Sequence, residues 1–213
     1  MQIFNPQSLK NLYVPPLISH KGQNGKLMII GGSKLFHAAS LWSFKVASRI
    51  VDMVYYSSVD ENNQIVQKAK EEFRDGIVVR RDHIEDYIQE ADCVLIGPGL
   101  PRAEGQEEGD DDTKELTERL LKKYPKKRWV IDGGSLQTMD PKFIPKDAIL
   151  TPHRKELEAL FGFLEGSIQK TEDGKQMTDS RNTEKTDKAE NQSSVESVQS
   201  AIRLQSSVLS HLT

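Results

Sequence analysis

A chain of 213 residues is long enough for one domain of ordinary size, or one domain with a tail. With 29 Lys and Arg against 32 Asp and Glu, its net charge of −3 at pH 7 argues against general nucleic-acid binding, which needs a basic surface. The single cysteine, Cys93, excludes a disulfide framework within the chain and a cysteine-based zinc cluster.

No apolar run approaches the roughly 20 residues that span a bilayer. No basic start followed by an apolar stretch marks a secretory leader. The expectation is a cytoplasmic protein with neither a membrane nor a nucleic-acid partner.

Residues 1–19 carry Pro6, Pro15 and Pro16, which break regular structure and suggest a lead-in arm. Residues 20–33 read HKGQNGKLMIIGGS. The run KLMII, 26–30, predicts a buried strand, closed by a tight Gly31-Gly32 turn. In 37–50, HAASLWSFKVASRI, apolar residues at 38, 41, 42, 46 and 50 fall near helical spacing and predict an amphipathic helix. A strand is predicted over 53–59, a helix over 61–73, a strand over 76–80 and a helix over 83–91.

The run CVLIG, 93–97, predicts a fourth strand that ends in Gly-Pro-Gly. An acidic loop over 101–112 reads as a solvated segment, without the carboxylate spacing of a calcium loop. A helix follows over 113–124, with Asp112 or Thr113 as N-cap. Residues 128–135 hold a fifth strand ending in Asp-Gly-Gly-Ser, 148–153 a sixth, and 154–161 open a further helix.

Strands and helices alternate, and the strands are continuous apolar runs. That combination predicts an α/β protein with three α/β/α layers around a mostly parallel sheet. After about residue 163 the composition changes. Residues 165–194 are polar and carry almost no apolar side chains, so disorder is expected there. An apolar stripe at 195, 198, 202, 204, 208, 209 and 212 predicts a short amphipathic helix. The expected organisation is a domain over 1–163, a polar linker or insertion over 164–194, and the helix within 195–213.

In a parallel sheet, ligands bind beyond the C-terminal strand ends. Four such ends carry candidate residues. Gly31-Gly32-Ser33 suits either a tight connection or a close approach to a ligand. Gly97-Pro98-Gly99 suits a rigid loop with exposed amides, or a plain turn. Asp132 could orient a substrate hydroxyl, bind a metal-linked phosphate, or cap the next helix. His153 stands just before a helix, where an imidazole could be structural or catalytic, and Glu156 could simply favour that helix's N-terminus. The spacing matches neither a dinucleotide fingerprint nor a P-loop.

Taken in order, HKGQNGKLMIIGGS with FHAAS, then LIGPGL, VIDGGSLQ and ILTPHRKELEALFG, resemble the NAD(P)H-hydrate dehydratase family of the ribokinase-like superfamily. The likeness covers about residues 8–162. It implies a ribokinase-like fold and a metabolite-repair lyase acting on hydrated NADH or NADPH. In that family ADP or ATP, with Mg2+, phosphorylates the ring hydroxyl, and loss of phosphate restores the double bond.

By motif, the implied substrate contacts are Ala39, Gly97, Gly99, Asp132 and His153. A homo-oligomer is compatible with the resemblance. Phe36 and Ala38 depart from the family's Tyr-x-Gly-Ala, Pro101 from GPGLG, and DGGSL from Asp-Ala-Asp-Ala-Leu, of which only Asp132 is kept. The resemblance also implies a Lys-Gly strand and a Gly-(Ser/Thr)-Gly-Asp motif that hold the nucleotide and supply the catalytic Asp. Neither follows in this sequence. The family's catalytic Asp and the C-terminal nucleotide-binding part are therefore expected beyond Thr213, and no catalytic residue is assigned within the chain. The competing expectations are a non-catalytic binding or interaction protein and a related small-molecule kinase.

Overall fold

The computed structural model describes residues 6–160 and residue 162. The polar segment 164–194 and the apolar stripe over 195–212 lie outside the described residues. Six strands form one sheet: β1 (Lys26–Ile30), β2 (Met53–Ser57), β3 (Ile77–Val78), β4 (Cys93–Ile96), β5 (Arg128–Ile131) and β6 (Ile149–Leu150). Their spatial order is β3-β2-β1-β4-β5-β6, and every pairing is parallel. The helices are α1 (Ala38–Ala47), α2 (Asp60–Phe73), α3 (Ile84–Glu90), α4 (Thr113–Lys123) and α5 (Gly133–Thr138), with α6 over 154–160. No helix among the described residues is long and apolar enough to cross a membrane.

Alternation along the strands sorts the apolar side chains onto two faces. Met28, Ile30, Tyr55, Val94, Ile96, Trp129 and Ile131 pack with Ile84, Ile88, Leu116, Leu120 and Leu136 from α3, α4 and α5. On the opposite face Ile29, Val54 and Tyr56 pack with Phe44 of α1 and Val66 of α2. Cover on this second face thins towards β6. Leu95 and Val130 are half-buried and Ile149 is exposed.

The structure corrects several expectations. The strands predicted over 53–59 and 76–80 are shorter: β2 ends at Ser57, where its partner β1 ends at Ile30, and β3 keeps only Ile77 and Val78 on the ladder with Tyr55 and Tyr56. The apolar spacing on α1 does not mark its core face. The helix buries Ser40 and Phe44, while Trp42, Val46 and Ile50 point outward at 58% exposure or more. The fifth strand ends at Ile131, and Gly133, Gly134 and Ser135, read as its end, already belong to α5.

The stretch before β1 is held from outside itself. Asp52 Oδ2 accepts from Gly22 N at 2.9 Å, Asn24 N at 3.0 Å and Asn24 Nδ2 at 2.9 Å. These bonds, the backbone N–H of Asn24 above all, hold the Asp52 carboxyl below its ordinary range. The glycines ahead of the strand thus let the chain curl around one carboxylate.

Candidate active site

Strand order reverses between β1 and β4. The chain runs from β1 outward to β2 and β3, then crosses to β4 and continues to β5 and β6. Beyond the strand ends at such a point two loops diverge and leave a crevice. Here those loops are Gly31-Gly32-Ser33 and Gly97-Pro98-Gly99. At their base the two loops touch, Gly32 N donating to Pro98 O at 2.8 Å, while Gly31 N donates to Ser57 O at the end of β2 at 3.1 Å. Glycine is required at the closest approaches. A Cβ on Gly32 would stand 1.9 Å from Asn62 Nδ2. Gly97 has φ +117°, and a Cβ there would stand 1.8 Å from Asp132 O. Gly31, Gly32 and Gly97 therefore serve loop packing.

A buried polar network supports these loops from the α1 and α2 side. Asn62 Nδ2 donates to Tyr56 Oη at 2.7 Å and to Ser58 Oγ at 2.9 Å. Ser40 Oγ and Tyr56 Oη are 2.8 Å apart, and Asn62 Oδ1 is 2.9 Å from His37 Nδ1. With the Asn62 amide nitrogen committed to two hydroxyls, its carbonyl faces His37, so Nδ1 carries the proton in this arrangement. Burial pushes the Tyr56 phenol above its ordinary range, which keeps it neutral and able to bridge.

In front of this network lies a cavity of about 710 Å³. Phe36, Ala39, Trp42, Gly99, Arg102 and Gln137 are among its lining residues. The volume falls in the range of small-molecule sites, and the walls are mainly apolar. Of the motif-derived residues, Ala39 and Gly99 share this cavity, while Gly97, Asp132 and His153 are not among its lining residues.

Asp132 sits at the N-cap position of α5 but makes no side-chain cap bond. The carboxylate turns instead to the next strand end, where Thr151 Oγ1 donates to Asp132 Oδ1 at 2.6 Å. His153 and Glu156 form a reciprocal cap at the start of α6. His153 N donates to Glu156 Oε2 at 2.8 Å, and Glu156 N donates to His153 Nδ1 at 3.3 Å. This is a capping box with imidazole in place of a hydroxyl.

Glu156 is 5% exposed, and Oε1 also accepts from Gln137 Nε2 of the cavity wall. His153 Nε2 lies 3.4 Å from the same oxygen. His153 is thus linked to the cavity through Glu156 and Gln137. Sequence reasoning singled out neither Gln137 nor Asn62. The paired Asn62-Asn63 just inside a helix start, where amide side chains can bond loop backbone, was the available signal.

The acidic loop is built rather than merely solvated. Asp110 Oδ1 accepts from Lys34 N at 2.8 Å, Asp111 pairs with Arg81, and Asp112 Oδ1 accepts from Glu115 N at 2.9 Å as the cap of α4. Three successive carboxylates hold three different elements. Among the described residues no group of three or more His, Cys, Asp or Glu could hold a metal ion. The nucleotide-binding motifs implied by the resemblance are also not in the sequence. No described residue is assigned to a nucleotide or to Mg2+.

Comparison with known proteins agrees with this geometry. A family model described as NAD(P)H-hydrate dehydratase matches residues 27–195. A bifunctional NAD(P)H-hydrate repair enzyme from Methanocaldococcus jannaschii is 33% identical over 150 residues, covering 66% of this chain and 28% of its own length. An ADP-dependent (S)-NAD(P)H-hydrate dehydratase from Lactococcus lactis is 32% identical over 165 residues, covering 72% of this chain and 55% of its own. The chain thus spans about half, or less, of these curated relatives.

Among solved structures, a hypothetical protein from Streptococcus mutans superposes with a TM-score of 0.57 at 25% identity, covering 76% of this chain and 58% of its own. A ribokinase-like superfamily protein from Enterococcus faecalis gives 0.54 at 20% identity, covering 69% and 51%, and speaks to the fold alone. The sheet order, the switch-point loops and the matched family model converge on one conclusion: the chain belongs to the NAD(P)H-hydrate dehydratase family.

Proposed function

We propose that this chain carries the substrate-binding part of an enzyme that dehydrates hydrated NADH or NADPH back to the reduced dinucleotide. The observation that carries this reading is the switch-point cavity, bordered by Ala39 and Gly99, in a chain of that family. Its apolar, aromatic walls suit a nicotinamide ring. Gly99 brings backbone close to the cavity without a side chain between, and Gly97 holds that loop against β5. Asp132 stands outside the cavity lining, so in this reading it meets the ring hydroxyl where the substrate projects beyond those walls; one of its oxygens is engaged by Thr151 and the other has no partner among the described residues. His153, fixed by Glu156 and likewise outside the lining, is the second polar contact in this reading, on the part of the substrate that extends past Gln137. Positioning of this kind is a main contribution of a binding half to a dehydration. ADP dependence is carried over from the printed name of the Lactococcus lactis relative, with ATP as the other candidate and Mg2+ as its companion ion.

The test is calorimetric titration of the full chain with hydrated NADPH, followed by a dehydration assay with ADP and Mg2+. Binding with turnover supports the whole reading. No binding overturns it. Binding without turnover favours the second reading, that this chain binds the substrate without converting it.

A further inference from the structure

We propose that Arg102 takes a phosphate group of the dinucleotide at the edge of the switch-point cavity, which makes it a specificity-determining residue. The proposal rests on reading that cavity as the seat of a hydrated nicotinamide. Of the residues that line it, Arg102 alone is a permanent cation. The remaining wall, with Phe36 and Trp42, can cover a ring but cannot balance a phosphate's charge.

Other basic side chains near these loops are already engaged. Lys34 Nζ pairs with Glu61 at 3.2 Å, and Arg81 pairs with Asp111 at 2.7 Å. Arg102 is exposed and makes no hydrogen bond or ion pair through its side chain with any described residue. Glu104, Glu107 and Glu108 follow it in the loop, yet none pairs with it.

Its backbone, by contrast, is held. Leu100 N donates to Gly97 O at 3.0 Å, Pro101 is buried, and Gly105 N donates to Arg102 O at 2.9 Å. The far end of the loop is fixed by Asp110 on Lys34 N and Asp111 on Arg81. A guanidinium on an anchored backbone, with its donors unspent, suits the paired oxygens of a phosphate. With the ring inside the cavity, a phosphate of the same molecule would meet this rim. It could be the diphosphate bridge, common to NADH and NADPH, or the 2′-phosphate of NADPH alone.

The experiment titrates the full chain and its Arg102→Gln and Arg102→Lys variants with hydrated NADH, hydrated NADPH and the hydrate of reduced nicotinamide riboside, which has no phosphate. The expected result is a roughly tenfold loss of dinucleotide affinity in Arg102→Gln, with riboside binding unchanged. Arg102→Lys should fall between the two. Added salt should weaken dinucleotide binding more in the native chain than in Arg102→Gln. Loss with both dinucleotides assigns the diphosphate, and loss confined to hydrated NADPH assigns the 2′-phosphate. Unchanged dinucleotide affinity in Arg102→Gln, or an equal loss for the riboside, overturns the proposal and leaves the cavity reading standing. If the native chain binds none of the three, the cavity reading falls and this proposal falls with it.

Discussion

Asp111 and Arg81 tie the acidic loop to the end of β2. Asp111 Oδ2 lies 2.7 Å from Arg81 Nη2 and accepts from Arg81 Nε at 2.9 Å, while Arg81 Nη1 donates to Ser57 O at 3.0 Å. The two side chains are 18% and 20% exposed. Burial pushes the guanidinium's pKa down, and Asp111 opposes part of that shift, so the carboxylate helps keep a largely desolvated cation in place.

Removing one partner should cost more than removing both. Asp111→Ala leaves the Arg81 charge without its counter-ion and is expected to cost about 2 kcal/mol in urea unfolding. Arg81→Met combined with Asp111→Leu should cost less than the single change. A double variant as unstable as Asp111→Ala would show that the loop needs the pair for geometry and not for charge balance.

Asp52 predicts a pH-dependent stability difference. Its folded-state pKa is depressed, chiefly by the backbone N–H of Asn24, so its contribution is complete above the unfolded value of about 3.9. The contribution is lost as pH falls through the depressed folded value. Asp52→Ala should therefore be less stable than the native chain at neutral pH, and the gap should close as the medium is acidified below roughly pH 4. Urea midpoints of both proteins across a pH series measure this, and a gap that persists at low pH would rule the carboxylate out as its source.

Gly97→Ala should destabilise by about 3 kcal/mol or more, because its φ of +117° and the 1.8 Å approach to Asp132 O leave no room for a methyl group. Gly105→Ala is the matched control. A Cβ there meets only Phe36 Cε2, at an ordinary 3.6 Å. Thermal or urea melts of the two variants should separate widely, and similar melts would contradict the packing argument.

His153 serves as helix cap and proposed substrate contact, and substitutions can separate the two. His153→Ala should lower α6 stability by about 1 kcal/mol and weaken binding of hydrated NADPH by about tenfold. His153→Asn can still cap the helix, so it should keep the stability and lose the binding. If His153→Asn binds as tightly as the native chain, the imidazole makes no contact that matters to the ligand.

Much of the architecture was legible in local pattern. The apolar runs LMII, CVLI and WVI are strands, and the Gly or Asp punctuation after each marks a strand end. Asp112, three residues before Glu115, is the cap of α4. These features depend on side-chain period and on short-range backbone conformation, both of which a sequence displays directly. The sequence determined that the chain is an α/β protein with glycine-rich strand ends, and its ordered motifs pointed to the family.

Tertiary structure decided the rest. Nothing local to β1 or β4 says that they are neighbours. Parallel strands join through crossovers, so their lateral order depends on which long-range packing wins. That order puts the switch point between Gly32 and Pro98, brings Ala39 and Gly99 to one cavity, and leaves His153 linked to it through Glu156 and Gln137. The outward turn of Trp42 and the pairing of Asp111 with Arg81 have the same origin. Helical spacing records which residues share a face, but only the surrounding elements settle which face is buried and which charge has a partner.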